Sequence, residues 1–424
     1  MTMRFLLPLA LCLNLPFSLL AQDPPIKFGK IPKEDLEMKV YPPDTSAAAV
    51  VLCDYGTVAF QFKDNDAMNV LSRHKRIKFL RRSGFEHGDI EIPFYTSLMR
   101  VKNLKAQVFA PDGTETEVPK KDIFEEKIND RWSRYRFAFP NLQEGSVVEY
   151  KYDLESQYIF ELPEWYFQGE IPVRWSELRL TIPNWFQYVS LRNGRLPDIV
   201  ENDFELAPVV NIGGGSGGGR MTVESSKIRL AMKEAPALRE EAYITTMDDY
   251  FARVRFQLKS VQYPETPARP IMGDWVEVAT KLLEDENFGG QFSKKGKFKK
   301  TWAAAQAQIA GATTPEEKIR AIYHFVQTSF EREDGSTIYT RQNLDDLFEK
   351  KRAFASEMNL LLIGLLREAG FQAHPVLIST RDHGQPIAEY PILDQFNHVL
   401  AQNTTGKISC SMPATLFARQ DLLR

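Results

Sequence analysis

The chain has 424 residues, 53 Lys and Arg against 56 Asp and Glu, and a formal net charge of -3, with acids and bases interspersed. That balance carries no footprint for a nucleic acid or another polyanion. Its three cysteines, Cys12, Cys53 and Cys410, are too few and too scattered for a disulfide scaffold.

The first 22 residues place one arginine ahead of an apolar run that closes on Ala21 before a polar break. This is the pattern of a cleaved secretory signal, residues 1–21, and it implies a secreted or periplasmic protein. Cys12 lies inside the apolar run after Leu11, which argues against a lipid anchor. No later stretch reaches the roughly 18 apolar residues of a membrane span. The remaining 400 or so residues exceed what one core usually serves, so more than one domain is expected.

From residue 22 to about 264 the hydrophobic pattern has period two. Val148, Tyr150, Tyr152 and Leu154 alternate with Glu149, Lys151 and Asp153, which predicts a strand with one dry face and one wet face. Leu104, Ala106 and Val108 before Pro111-Asp112-Gly113, and Leu178, Leu180 and Ile182 before Pro183, repeat the signal. Many short strands divided by Pro and Gly turns imply an antiparallel β-sandwich or a pair of them. In Arg131-Trp-Ser-Arg-Tyr-Arg-Phe137 the aromatic positions point to the core and Arg134 and Arg136 to water. An anionic ligand on the Trp132 face is the functional alternative. Gly214-Gly-Ser-Gly-Gly218 fits a nucleophile-elbow spacing, but that motif needs a following helix, and Met221-Thr-Val-Glu is strand-like. A hairpin tip or linker is the expectation.

Beyond about 264 the period becomes helical. Lys294-Lys-Gly-Lys-Phe-Lys-Lys300 reads as a solvated basic face. Thr314-Pro315-Glu316-Glu317 is a capping box with proline at the first helical position, ahead of Ile319, Ile322 and Val326. Lys350-Lys-Arg-Ala-Phe-Ala-Ser-Glu-Met-Asn-Leu-Leu-Leu-Ile-Gly-Leu-Leu-Arg-Glu-Ala-Gly370 predicts a helix from about Ser356 to Ala369, apolar on nearly every side and therefore buried. Strands His374–Thr380 and Phe396–Ala401 follow, so residues 265–424 are expected to be α+β. The histidines show no metal-ligand spacing, and neither a metal nor a cofactor is expected.

The order of loop, small residue, leucine-rich helix ending Leu-Leu-Arg-Glu-Ala-Gly, strand Pro-Val-Leu and then Phe-Asn-His-Val resembles the transglutaminase-like superfamily core of bacterial secreted proteins. Arg73-His-Lys-Arg-Ile-Lys78, Phe139-Pro140 to Glu149-Tyr150, and Phe167-Gln168 through Ile171-Pro172 to Ile182-Pro183 resemble the domain of unknown function 3857 that often precedes that core. The resemblance implies a cysteine at the helix start, a histidine on one strand and an aspartate on the next. By position these fall on Ala355, His398 and Pro413. Alanine cannot ionise, and proline cannot orient the imidazole.

Ser356 lies roughly 100° further around the helix, so its hydroxyl is expected to face away from His398 and to cap the helix. Cys410 is the one thiol near the third position. A frame error or early stop near residues 409–413 would account for the odd residues there and for an incomplete domain. The expected function is a catalytically silent, transglutaminase-like binding or envelope accessory protein. It would take a peptide or protein ligand, with Ser356 and Asn397 in the cleft and Trp132 on the β region as contacts. An amide hydrolase or acyl transferase with a surrogate nucleophile, and a β-sandwich that binds protein or glycan, are the alternatives.

Overall fold

The computed structural model describes residues 23–63, 66–211, 219–293, 296–403 and 409–410. After a short helix α1 (Lys33–Glu37), the chain enters two long strands, β1 (Ala49–Lys63) and β2 (Asp66–Phe79). Next come β3 (Asp89–Tyr95), β4 (Met99–Phe109), β5 (Glu115–Glu117), β6 (Phe124–Lys127), β7 (Trp132–Ala138) and β8 (Val147–Ser156). Six more strands follow: β9 (Glu161–Tyr166), β10 (Val173–Pro183), β11 (Phe186–Asn193), β12 (Ile199–Asn211), β13 (Gly219–Ala235) and β14 (Arg253–Val261), which a two-residue strand at Arg269–Pro270 extends. An eight-stranded sheet runs β10-β13-β12-β1-β2-β8-β4-β5, β11 pairs with β14 and β14 with β9, and β3-β7-β6 form a third sheet.

One continuous core joins the three sheets, with Leu178, Leu180 and Ile182 of β10, Phe137 of β7 and Phe139 just beyond it all buried. Pro111-Asp112-Gly113 closes the β4–β5 hairpin, Gly113 taking the positive φ of 88° that a residue with a Cβ resists. The sheet is not purely antiparallel, because β1 pairs in parallel with both β10 and β12. Connections that leave the sheet and return allow this, and local alternation cannot reveal them. Strands β12 and β13 pair out to Asn211 and Gly219. The glycine-rich stretch therefore joins two strands, and its residues 212–218 lie outside those described.

The expected wet face of β8 fails at Glu149, which is fully buried. The N-terminal segment crosses that face, with Ile31, Leu36, Met38 and Tyr41 packed on Val50, Leu52, Phe109 and Val147. Glu149 is held there by Arg76 Nη2 at 2.8 Å, by His74 Nε2 at 3.0 Å, by Gln107 Nε2 at 2.7 Å and by the Gly29 N–H. Although burial alone raises its pKa, these partners keep the carboxyl below the usual range. Lys78, also fully buried, donates to the carbonyls of Leu36 and Gly145 at 2.6 and 2.7 Å.

The C-terminal part contains α2 (Trp275–Glu284), α3 (Lys299–Ile309), α4 (Pro315–Ser329), the short α5 (Leu347–Lys350) and α6 (Ala355–Glu368). A small antiparallel sheet is made by β15 (Ala373–Ile378), β16 (His398–Asn403) and β17 (Ser409–Cys410). The capping box is in place, with Glu317 N donating to Thr314 Oγ1 at 3.2 Å and Thr314 N to Glu317 Oε2 at 3.1 Å. Ile319, Ile322 and Val326 are then fully buried. Helix α6 is buried on every side from Ala355 to Leu366, as an apolar helix at the centre of a domain must be. Phe298 packs onto it at Gly364, where a Cβ would come within 2.3 Å of the ring. The two parts of the chain meet where Arg381 Nη2 donates to Ile244 O at 2.7 Å and Gln385 N donates to Asp249 Oδ1 at 2.8 Å.

Candidate functional site

Helix α6 starts at Ala355, one residue earlier than the sequence pattern suggests, and Phe354 takes the cap position with extended φ and ψ of -69° and 153°. Phenylalanine cannot cap through its side chain, so the work passes to Glu357, whose carboxylate accepts the Phe354 N–H at 2.9 Å. This is the reciprocal half of a capping box. Glu357 is fully buried and also accepts Arg341 N at 2.9 Å and Arg341 Nη2 at 3.0 Å. The Arg341 guanidinium lies over the Phe354 ring at 3.4 Å and reaches Glu333 at 2.5 Å. Burial alone lowers the Arg341 pKa, but the hydrogen bonds to Glu357 and Glu333 hold it above the usual value.

The cap reading of Ser356 is therefore overturned. Ser356 sits inside the first turn, and its side chain points across to the sheet rather than away. Its Oγ lies 3.5 Å from His398 Nδ1. Asn359, three residues on and on the same helical face, brings Nδ2 to 3.5 Å from His398 Nε2. His398 opens β16, and His398, Ser356, Asn359 and Ala355 are all buried. Both contacts are at the long end of hydrogen bonding.

The group is also covered. Ser336 Oγ donates to Asn397 O at 2.8 Å, so the chain after Glu333 crosses the start of β16. Gly335 passes so close to Phe354 that a Cβ there would lie 2.4 Å from the ring. Asn397 does not reach the imidazole: its Oδ1 accepts Thr380 N at 2.9 Å and its Nδ2 donates to Thr380 Oγ1 at 2.6 Å. Ala401 pairs with Cys410 across the β16–β17 ladder. Pro413 lies outside the described residues.

Trp132 is far along the chain and contacts none of these residues. Its indole meets the Tyr95 ring edge-on at 5.5 Å and is 38% exposed, beside a cavity whose wall holds Arg131 and Arg255 but also Glu161, Glu164 and Asp394. Arg134 is paired with Glu91 and Glu126, and Lys300 with Glu349. Among the described residues, no group of three or more His, Cys, Asp or Glu is placed to hold a metal ion, and no helix is long and apolar enough to cross a membrane.

Sequence reasoning missed Arg341 and the role of Glu357. The one available signal was the glutamate three residues after Phe354, the spacing of a capping box. Asn359 was legible only as the single amide bordering the leucine run.

Comparison with known proteins gives two family matches in sequence: the domain of unknown function 3857 over residues 65–265, and the transglutaminase-like superfamily over residues 303–408. No curated protein matches. Among solved structures, a "putative protease" from Parabacteroides distasonis superposes with a TM-score of 0.58 at 14% identity, covering 87% of this chain and 67% of that one. That likeness extends across both parts of the chain and concerns the fold. A "putative nutrient binding protein" from Legionella pneumophila gives a TM-score of 0.22 at 9% identity, covering 76% of this chain and 94% of that one.

Proposed function

We propose that this chain, in which a domain of unknown function 3857 is followed by a transglutaminase-like superfamily domain, is a catalytically silent binding or accessory protein of the bacterial envelope, exported by its N-terminal signal. The observation that carries this reading is the start of α6. Ala355 stands where the family resemblance places the thiol, and Phe354, Arg341 and Glu357 close the helix end over it. In a working cysteine–histidine site the thiolate is favoured by free helix N–H groups and the dipole, and the imidazole takes its proton. Here the cap N–H is spent on Glu357 and there is no sulfur at the helix start.

The test is turnover. Purified protein, incubated with a glutamine-containing peptide, is expected to release no ammonia above the blank and to form no isopeptide product with an added amine. Turnover that His398→Ala abolishes would sink the silent reading.

One observation favours a second reading, an amide hydrolase or acyl transferase built on Ser356, because its Oγ lies 3.5 Å from His398 Nδ1. A fluorophosphonate probe separates the two. Labelling of folded protein that Ser356→Ala removes supports the serine enzyme, and equal labelling of folded and unfolded protein supports the silent one.

A further inference from the structure

A cavity of about 690 Å³ opens between the strand-rich part and the C-terminal part. Tyr95 and Trp132, paired across β3 and β7, form one wall. Tyr158 comes from the turn into β9, Glu161 from the first position of β9, Arg255 from β14, and Asp394 from the turn before β16. The volume is that of sites for organic ligands, far more than one metal ion needs. None of its lining residues is Ala355, Ser356, Asn359 or His398.

The charges in this wall do not cancel locally. Glu164 is satisfied, taking Arg253 Nη1 at 2.7 Å and lying 3.8 Å from Arg255 Nε. Glu161 and the side chain of Asp394 receive no hydrogen bond or ion pair from any described residue, while the Asp394 carbonyl accepts from His383. Burial, then the charge of Asp394, pushes the Glu161 carboxyl above its ordinary range, with Arg255 opposing. Burial, then Glu161, then Asp394 pushes Tyr158 up to about 12. Arg131 is exposed. Glu161 is half-buried and Asp394 stands at the exposed rim, so their like charges act on each other with Arg255 opposing, and a cation between them removes that cost. Aromatic walls add attraction for a cation whose charge is spread over an organic group.

We propose that this cavity binds an organic cation, an ammonium or guanidinium group, between Glu161 and Asp394 with Trp132, Tyr95 and Tyr158 around it. The proposal deepens the binding reading above, on which it rests for the claim that ligand capture is the protein's output.

The experiment is calorimetric titration of the full chain with spermidine, with acetyl-lysine amide, with acetyl-arginine amide and with a tri-lysine peptide, succinate serving as the anionic control. Saturable binding of at least one cation is expected, weakened about tenfold or more by Glu161→Gln or Asp394→Asn, and weakened also by Trp132→Ala, each variant first checked for unchanged melting cooperativity. Spermidine bound more tightly than the peptide would identify a free polyamine as the source of the cation, and the reverse order a basic protein segment. Absence of saturable binding by every cationic probe overturns the proposal, as does binding that Glu161→Gln and Asp394→Asn leave unchanged. Glutamine turnover by the same samples would overturn the silent reading alone and leave the titration result standing.

Discussion

The start of α6 and the interdomain cavity both gather acidic and aromatic side chains, yet they treat their charges in opposite ways. At α6, Glu357 is fully buried and each side of it is met, by the Phe354 N–H, the Arg341 N–H and the Arg341 guanidinium. In the cavity wall, the half-buried Glu161 and the exposed Asp394 have no described hydrogen-bond donor on either carboxylate, and Arg255 acts on Glu161 only through its charge. A buried charge whose partners are all supplied by the chain holds structure together, whereas one left without a partner weakens the fold until something else supplies it. On the proposed reading, the position where the resemblance places the nucleophile is structural, and the place poised for a ligand lies elsewhere.

Removing a fully partnered carboxylate should cost the most. Glu149→Ala leaves Arg76, which is 1% exposed, without its counter-charge, and the expected loss is roughly 3–5 kcal/mol by urea denaturation. A loss below about 1 kcal/mol would mean that the N-terminal segment does not seal this face. Glu357→Ala should cost less, about 2–3 kcal/mol, because the Arg341 side chain is 44% exposed and can turn to water.

The third comparison asks whether the inherited site is shut. A thiol introduced by Ala355→Cys is expected to react slowly with iodoacetamide in folded protein, since Ala355 is 3% exposed, with wild type correcting for Cys53 and Cys410. Adding Arg341→Ala should speed labelling by roughly tenfold, the effect of easing local opening by about 1.4 kcal/mol. Fast labelling of the single variant, with an apparent pKa well below the roughly 8.5 of free cysteine, would show a helix end still open and poised.

Much of this was legible in the chain itself. The capping box at Thr314, the buried leucine helix and the histidine strand all follow from spacing, because each is set by contacts within a few residues. Glu149 was misread because alternation assigns faces but cannot say that a segment 120 residues earlier will cover the second one. Ser356 was misread by taking Ala355 as the residue that faces His398 and turning roughly 100° from it, whereas the Ser356 hydroxyl itself reaches the imidazole. The cavity was illegible for a different reason: Tyr95, Trp132, Glu161, Arg255 and Asp394 come from five separate places in the chain, and no local pattern links them.

The smallest effect is also the one that most directly sets the two regions apart. Glu161 has its folded pKa raised, chiefly by burial and then by Asp394, so the folded state holds the proton more tightly than the unfolded state does. Stability linked to this group is therefore fully present at pH values below the unfolded pKa, and it is lost as pH rises through the folded value. At neutral pH the charged form works against folding, so Glu161→Gln should leave the protein slightly more stable, by less than about 1 kcal/mol, with the gain absent in acid. Glu149, whose folded pKa is lowered, has the opposite sign: its contribution is present above the unfolded pKa and lost as pH falls through the folded one. Melting curves of Glu161→Gln from acid to neutral pH test this directly. Equal or lower stability than wild type at neutral pH would mean that the cavity already satisfies its carboxylates, and the case for a cationic ligand would lose its driving force.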